Sequence, residues 1–300
     1  MPTLTIHTAT YNRAYILPKA YESLKKQTCK DFEWIITVDG STDNTEELVN
    51  GWIGQDNDFD IIYNKLNHVG IPRALNSGVN LAHTEWFMML DSDDHLLPET
   101  VEKVLIWIDE IKDDESFAGI GFAKVQPDGS YMKDRHPVID EKIGFFDATH
   151  LERKEHQIDM DMCEVHRTSL MKKYPFQVWE DEFFAPEQLS LYNMALDGYK
   201  LRWRLEKLYI CSYLSDGMTK NDDLVRRNPM GFVMMYNQNL VFTKSKKRII
   251  KYVNNMIALC CYAGHVEYLK NSNKKALTWL LFPFGLALSI RRKRQFREMQ

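Results

Sequence analysis

Through its first hundred residues the chain alternates two hydrophobic rhythms. Compact apolar runs at residues 4–9, 34–38, 59–63 and 86–90 predict strands, and between them apolar side chains return every three or four positions. Leu17, Tyr21 and Leu24 mark one helix, with Pro18 in its first turn. Pro72 opens another, carrying Leu75, Gly78, Val79 and Ala82 on one face and Arg73, Asn76 and Asn80 on the other. A third begins near Pro98, with Val101, Val104, Leu105 and Ile108 as its stripe. Strands alternating with helices imply an α/β fold with a mainly parallel sheet and right-handed crossovers. Ligands of such sheets bind beyond the carboxyl ends of the strands. Three of those ends are polar here, at residues 8–13, 39–43 and 91–94.

After about residue 115 the rhythm loosens into short strands, a hairpin signal at residues 127–129, and helices near 168–174 and 186–197. From about Pro229 the chain reads as helical, with basic stretches at 244–251 and 291–297. Residues 276–290 carry no charge, yet spanning a bilayer takes about 20 apolar residues, and Pro283 with Gly285 is expected to break the segment. Followed by Arg291, Arg292, Lys293, Arg294 and Arg297, it reads either as a surface-lying anchor at anionic headgroups or as a helix packed on the core or a partner.

Composition narrows the class. The chain has 300 residues, 44% of them hydrophobic, which excludes a disordered or collagenous protein and leaves one large domain or two small ones. Five cysteines (Cys29, Cys163, Cys211, Cys260 and Cys261), an odd number with no Cys-x-x-Cys, suggest neither a disulfide framework nor a structural zinc site. No secretory leader is expected in the opening MPTLTIHTATYNR, so the expected location is cytoplasmic. The net charge of −4 hides an asymmetry: residues 241–300 hold 13 Lys+Arg and two acids, a tail of +11 on a body of −15. That balance argues against a nucleic-acid groove in the body and for an anionic partner at the tail.

Asp91, Asp93 and Asp94 crowd three carboxylates into four positions at a strand end. Their mutual repulsion calls for a counter-charge, and hard oxygen ligands favour Mg2+ or Mn2+. A solvated loop with helix-capping aspartates is the plainer alternative. An EF-hand loop is excluded, since its obligatory glycine would fall at Leu96.

Together, Thr10-Tyr-Asn-Arg13, Val38-Asp-Gly-Ser-Thr-Asp-Asn44, Leu90-Asp-Ser-Asp-Asp94 with Pro98-Glu99, and a late acidic motif resemble the family 2 inverting glycosyltransferases over roughly residues 3–220. The resemblance implies a Rossmann-like nucleotide-diphospho-sugar transferase fold. On it, residues 1–228 form the transferase domain, with a nucleotide-binding half (1–115) and an acceptor half (116–228). Residues 229–300 form a helical C-terminal extension. It also implies that Thr10 and Tyr11 line the uracil pocket, Tyr11 by stacking, with Arg13 and Asp39 at the nucleotide. Where many relatives have two aspartates, this chain has Val38 before Asp39. Arg73 would approach the base or diphosphate, or else serve a surface ion pair. Asp91 with Ser92 would lie near the ribose, and Asp93, with Asp91, would hold Mn2+ or Mg2+.

The implied reaction moves a sugar from a nucleotide sugar, UDP-linked by the resemblance, to a saccharide or polyprenyl-linked acceptor in polysaccharide biosynthesis. A cation at the diphosphate offsets the charge that grows on the leaving group. The attacking hydroxyl needs a base, and Glu187, Asp181 and Glu182 are the alternatives. Spacing favours Glu187: in relatives the base opens a helix and a Gly-Tyr turn follows eleven residues on, as Gly198-Tyr199 does here. Glu164 and Arg167, in a strand resembling that before the acceptor site, would hold sugar hydroxyls or phosphate, or pair with each other; His166 reads as a packed histidine. Residues 213–220 resemble a loop that closes over the donor. A peripheral contact of residues 276–297 with the inner face of the cell membrane would suit a lipid-linked acceptor. The rival functions are a non-catalytic nucleotide-binding scaffold of the same fold and a haloacid-dehalogenase-like phosphatase, whose Asp-x-Asp normally ends the first strand rather than the fourth.

Overall fold

A computed structural model describes residues 1–131, 143–158, 160–212 and 223–298. The chain divides into two compact units, residues 1–175 with 190–214, and residues 176–189 with 215–300. This division differs from a boundary at 228/229. The segment 213–220, which resembles a loop that closes over the donor, lies outside the described residues.

In the first unit, β1 (Leu4–Thr10), β2 (Phe32–Asp39), β3 (Asp60–Leu66) and β4 (Trp86–Met89) alternate with α1 (Pro18–Lys25), α2 (Thr45–Ile53) and α3 (Ile71–Leu81). They pair in parallel in the order β3-β2-β1-β4. Every residue of β2 is buried, as an inner parallel strand requires. Tyr21 of α1 stacks on Trp52 of α2 at 4.4 Å, and Trp52 on Trp34 of β2 at 5.7 Å, so aromatic rings cement these helices to one face of the sheet.

Beyond β4 the sheet becomes mixed. Next in the chain come β5 (His95–Leu96), α4 (Thr100–Asp109), β6 (Phe117–Val125), β7 (Phe145–Ala148), β8 (Met162–Arg167), α5 (Thr168–Lys173), α6 (Gln188–Leu196) and β9 (Lys200–Ile210). β8 inserts antiparallel between β4 and β6, β9 joins β6 in parallel, and the order closes as β4-β8-β6-β9-β5, with β7 on β9. The architecture is an α/β Rossmann-like sheet, parallel throughout the half formed by β1 to β4. The hairpin signal at 127–129 forms a turn closed by Gln126 N donating to Ser130 O at 2.8 Å.

The second unit is helical: α7 (Leu224–Arg227), α8 (Pro229–Phe242), α9 (Lys246–Ala263), a 3-10 turn (Val266–Asn271) and α10 (Lys275–Glu298). Met230, Val233, Leu240, Val253, Met256, Ile257 and Leu269 form its core. The expected break at Pro283 does not occur; α10 runs through it. One lost N–H bond is outweighed by packing, because α10 lays Thr278, Gly285 and Ser289 inward against α9. A Cβ at Gly285 would come within 2.5 Å of Ile257, so only glycine permits this approach. No helix among the described residues is long and apolar enough to cross a membrane.

Candidate active site

The carboxyl ends of β1, β2 and β4 carry the polar loops read from the sequence, and the chain fastens them together. Asn12, at φ 53°, accepts from Thr42 N at 2.7 Å through its side-chain oxygen and donates from its own N–H to Ser41 Oγ at 2.9 Å. Arg13 N donates to Thr45 Oγ1 at 3.2 Å, and Ala14 N to Asp43 Oδ2 at 3.1 Å. The loops after β1 and β2 are therefore one hydrogen-bonded surface.

Asp39 ends β2 with both carboxylate oxygens turned to the start of α3, accepting from Val69 N at 2.7 Å and Gly70 N at 2.8 Å. A carboxylate suits these amides because a helix N-terminus leaves its N–H groups without partners. The clamp fixes His68, whose ring lies 4.3 Å from that of Tyr11. Tyr11 remains 43% exposed, with area left for a further ring. The Thr10 hydroxyl oxygen is buried and without a hydrogen-bond partner among the described residues. Arg73 donates to Val69 O at 2.9 Å, and Arg13 to the Tyr15 hydroxyl at 2.6 Å.

The acidic motif follows β4. Asp91 is half exposed and receives Lys124 of β6 at 2.8 Å and the Tyr209 hydroxyl of β9 at 3.1 Å on the same oxygen. The Lys124 ammonium also lies 4.3 Å from the Tyr209 ring centroid. This ammonium, opposed by burial, holds the Asp91 carboxyl below its ordinary range. Burial acts to lower Lys124, but the Asp91 charge more than reverses it and leaves the ammonium firmly protonated. Burial, then the neighbouring Asp91 charge, raises Asp93 and pushes Asp94 up to about 7. Asp94 accepts from Ser212 N at 2.8 Å, and Ser92 is buried between the acids.

Thr10, Tyr11, Arg13, Asp39, Arg73, Asp91, Ser92 and Asp93 thus all lie along one sheet edge. His68, Lys124 and Tyr209 join them unannounced by any local motif, since each reaches the edge from a distant strand or loop.

The three acids considered as base belong to the second unit. Glu182 is buried, and its two oxygens accept from Met230 N at 2.6 Å and Gly231 N at 2.7 Å at the start of α8. Asn228 holds the next two amides, Phe183 N and Phe184 N, each at 3.0 Å. Glu182 is thereby a helix-capping group. Asp181 is exposed, and Glu187 is exposed immediately before the first residue of α6. Of the two residues considered on the acceptor side, Arg167 donates to the carbonyls of Phe117, Ile111 and Lys112 and pairs with Glu85, and Glu164 lies buried beside His150 and His166.

Residues 5–174 match the sequence model of Glycosyl transferase family 2. The chain belongs to this family. The family 2 transferase is 27% identical over 199 residues to EpsH of Bacillus subtilis, which carries a provisional glycosyltransferase name. That match covers 61% of this chain and 55% of EpsH, about half the relative's length. Its fold is similar to that of S. aureus TarS 1–349 in complex with UDP-GlcNAc, at TM-score 0.57 and 16% identity, covering 99% of this chain and 91% of that one. It is similar also to the mannosyltransferase PcManGT of Pyrobaculum calidifontis in complex with GDP-Man and Mn2+, at TM-score 0.56 and 16% identity, over 97% and 86% of the two chains. The two structural likenesses show the fold, and membership of the family rests on the match over residues 5–174.

Proposed function

We propose that the family 2 transferase moves a sugar, with inversion, from a UDP-linked donor to a saccharide or lipid-linked saccharide acceptor in polysaccharide synthesis, assisted by Mn2+ or Mg2+. The observation that carries this reading is the sheet edge itself, where an open tyrosine ring and a crowded carboxylate motif occupy adjacent strand ends. Tyr11, backed by His68, offers a flat surface for a nucleobase. Asp93 and Asp91 fit a hard divalent cation, because among the described residues the three acids at this strand end have only Lys124 in direct contact and Arg13 farther off to offset their charge. When bound, the cation offsets the charge of a departing nucleoside diphosphate. Lys124, already at Asp91, is placed to add positive charge on the same side. TarS in complex with UDP-GlcNAc and PcManGT with GDP-Man and Mn2+ support this reading of the donor and cation.

Glu187 is the proposed base. It precedes α6, whose N-terminal dipole favours the ionised carboxylate that must accept the acceptor's proton. Glu182 is poorly suited, since both of its oxygens are committed to α8 amides. A panel of nucleotide sugars with Mn2+ or Mg2+, scored for UDP release, tests the reading. Asp93→Ala is expected to abolish cation-dependent UDP binding in calorimetry, and Glu187→Gln to retain UDP binding and lose transfer. UDP binding without release for any acceptor would favour the scaffold alternative instead.

A second reading concerns location. The outward side of α10 exposes Trp279 (50%), Leu280 (72%), Phe284 (68%) and Ile290 (54%), next to the basic run at 291–297. Inward small residues and outward apolar ones make α10 both a packed helix and a surface that suits shallow insertion at anionic headgroups. Flotation with anionic vesicles is expected to carry the protein up and to fail for Phe284→Glu; no flotation of the unmodified chain refutes the contact.

A further inference from the structure

Glu164 and His166 are two residues apart on β8 and therefore project from the same face of the sheet. Directly after β7, His150 comes over them, with its ring edge-on to Trp203 of β9 at 5.3 Å. The Trp203 ring lies where Gly121 of β6 has no side chain; a Cβ there would sit 2.4 Å from it. The result is a walled chamber in which His150, Glu164 and His166 are 5%, 9% and 1% exposed.

Three ligand atoms converge in that chamber. Nε2 of His150 lies 3.4 Å, and Nε2 of His166 3.7 Å, from the same Oε2 of Glu164, and all three fall within 4.8 Å of one another. Neither Nε2 has a hydrogen-bond partner among the described residues. These separations are too long for hydrogen bonds of about 2.7–3.2 Å. They suit atoms that share a metal ion, because bonds of about 2.0–2.1 Å in a tetrahedral shell set ligands about 3.3 Å apart. Both imidazoles are buried, and a metal takes the neutral form of the ring.

We propose that His150, Glu164 and His166 bind one divalent transition-metal ion of the zinc class, at a site separate from the acidic motif of the sheet edge. Two imidazoles and one carboxylate match the donor preference of zinc and differ from the all-oxygen set expected around Mg2+. Arg153 faces the other carboxylate oxygen, Oε1, at 3.6 Å and helps to fix how the carboxylate is turned. Its charge works against a dication and sets the affinity below that of an all-anionic site. The ion would join β7 and β8, elements separated in the chain by residues 149–161, and so brace this half of the sheet.

The test uses the full chain produced in zinc-replete and in cobalt-replete medium and purified without chelator. The expected result is about one zinc per chain by elemental analysis, and for the cobalt form a ligand-field absorption in the visible with the intensity of a low-coordinate nitrogen-containing site. Asp93→Ala is expected to retain both signals, which separates this site from the acidic motif. His166→Asn, His150→Asn and the near-isosteric Glu164→Gln are expected to lose them while circular dichroism confirms folding. A wild-type chain without retained metal and without the cobalt band overturns the proposal, independently of whether any variant folds. Folded histidine variants that keep the metal overturn it as well.

Discussion

Glu182→Gln separates a structural carboxylate from a catalytic one. In the native chain the two oxygens accept from Met230 N and Gly231 N at 2.6 and 2.7 Å. Hydrogen bonds to a charged group contribute roughly 1.5–3 kcal/mol each. The amide keeps one accepting oxygen and sets its own N–H2 against the second main-chain donor, so about one such bond is lost. Part of that loss is returned, because burial raises the Glu182 carboxyl against the pull of the two amides and a neutral side chain escapes this penalty. The net expectation is a destabilisation of about 1–2 kcal/mol. If the helical unit melts independently, this lowers its Tm by roughly 5–10 °C. The assay is differential scanning calorimetry beside a UDP-release measurement below the transition. Turnover is expected to persist in Glu182→Gln and to vanish in Glu187→Gln at unchanged Tm. Lost turnover at unchanged Tm in Glu182→Gln would refute the capping argument and make Glu182 the base.

Asp94 has a folded pKa of about 7, above its unfolded value of about 3.9, so the folded chain binds more protons between these values. Stability should therefore fall as pH rises from about 4 to 7, a slope that thermal scans in chelator should detect and that Asp94→Asn should flatten. Lys124→Met removes the one cation held at Asp91; it should cost about 1–3 kcal/mol, the exposure of Asp91 keeping the loss below that of a fully buried pair, and should tighten Mn2+ binding in calorimetry by removing a competitor. Gly285→Leu has no room beside Ile257 and should cost at least about 1–3 kcal/mol by thermal scan; an unchanged Tm would contradict the close packing of α10 on α9.

The parallel half of the fold was legible because its inner strands are buried on both faces; the apolar run at residues 34–38 became the middle of β2. The insertion of β8 between β4 and β6 was not legible, since pairing partners leave no trace in a strand's own periodicity. The acidic motif announced itself by crowding like charges, whereas Lys124 is the one charged residue of an apolar strand and Tyr209 is one residue among the mixed apolar and charged positions of β9. Asp39 was expected at the nucleotide and Glu182 was one of three alternatives for the base; in the structure both accept from amides at the start of a helix. From sequence alone a carboxylate that caps a helix far along the chain cannot be told from one that awaits a ligand. Pro283 misled for a related reason: local propensity marks a breaker, but the stripe of Thr278, Gly285 and Ser289 lets tertiary packing override it.

With a dication bound as proposed, the Lys124–Asp91 pair would make the acidic motif an ion exchanger rather than an empty socket. Charge at the strand end is partly balanced before any metal arrives, so a dication that takes Asp91 releases an ammonium already tethered in place. Such an exchange should respond less steeply to added monovalent salt than the filling of three unshielded carboxylates. It would also hand the freed ammonium to whatever anion arrives with the metal, linking the two arrivals through a single side chain on β6.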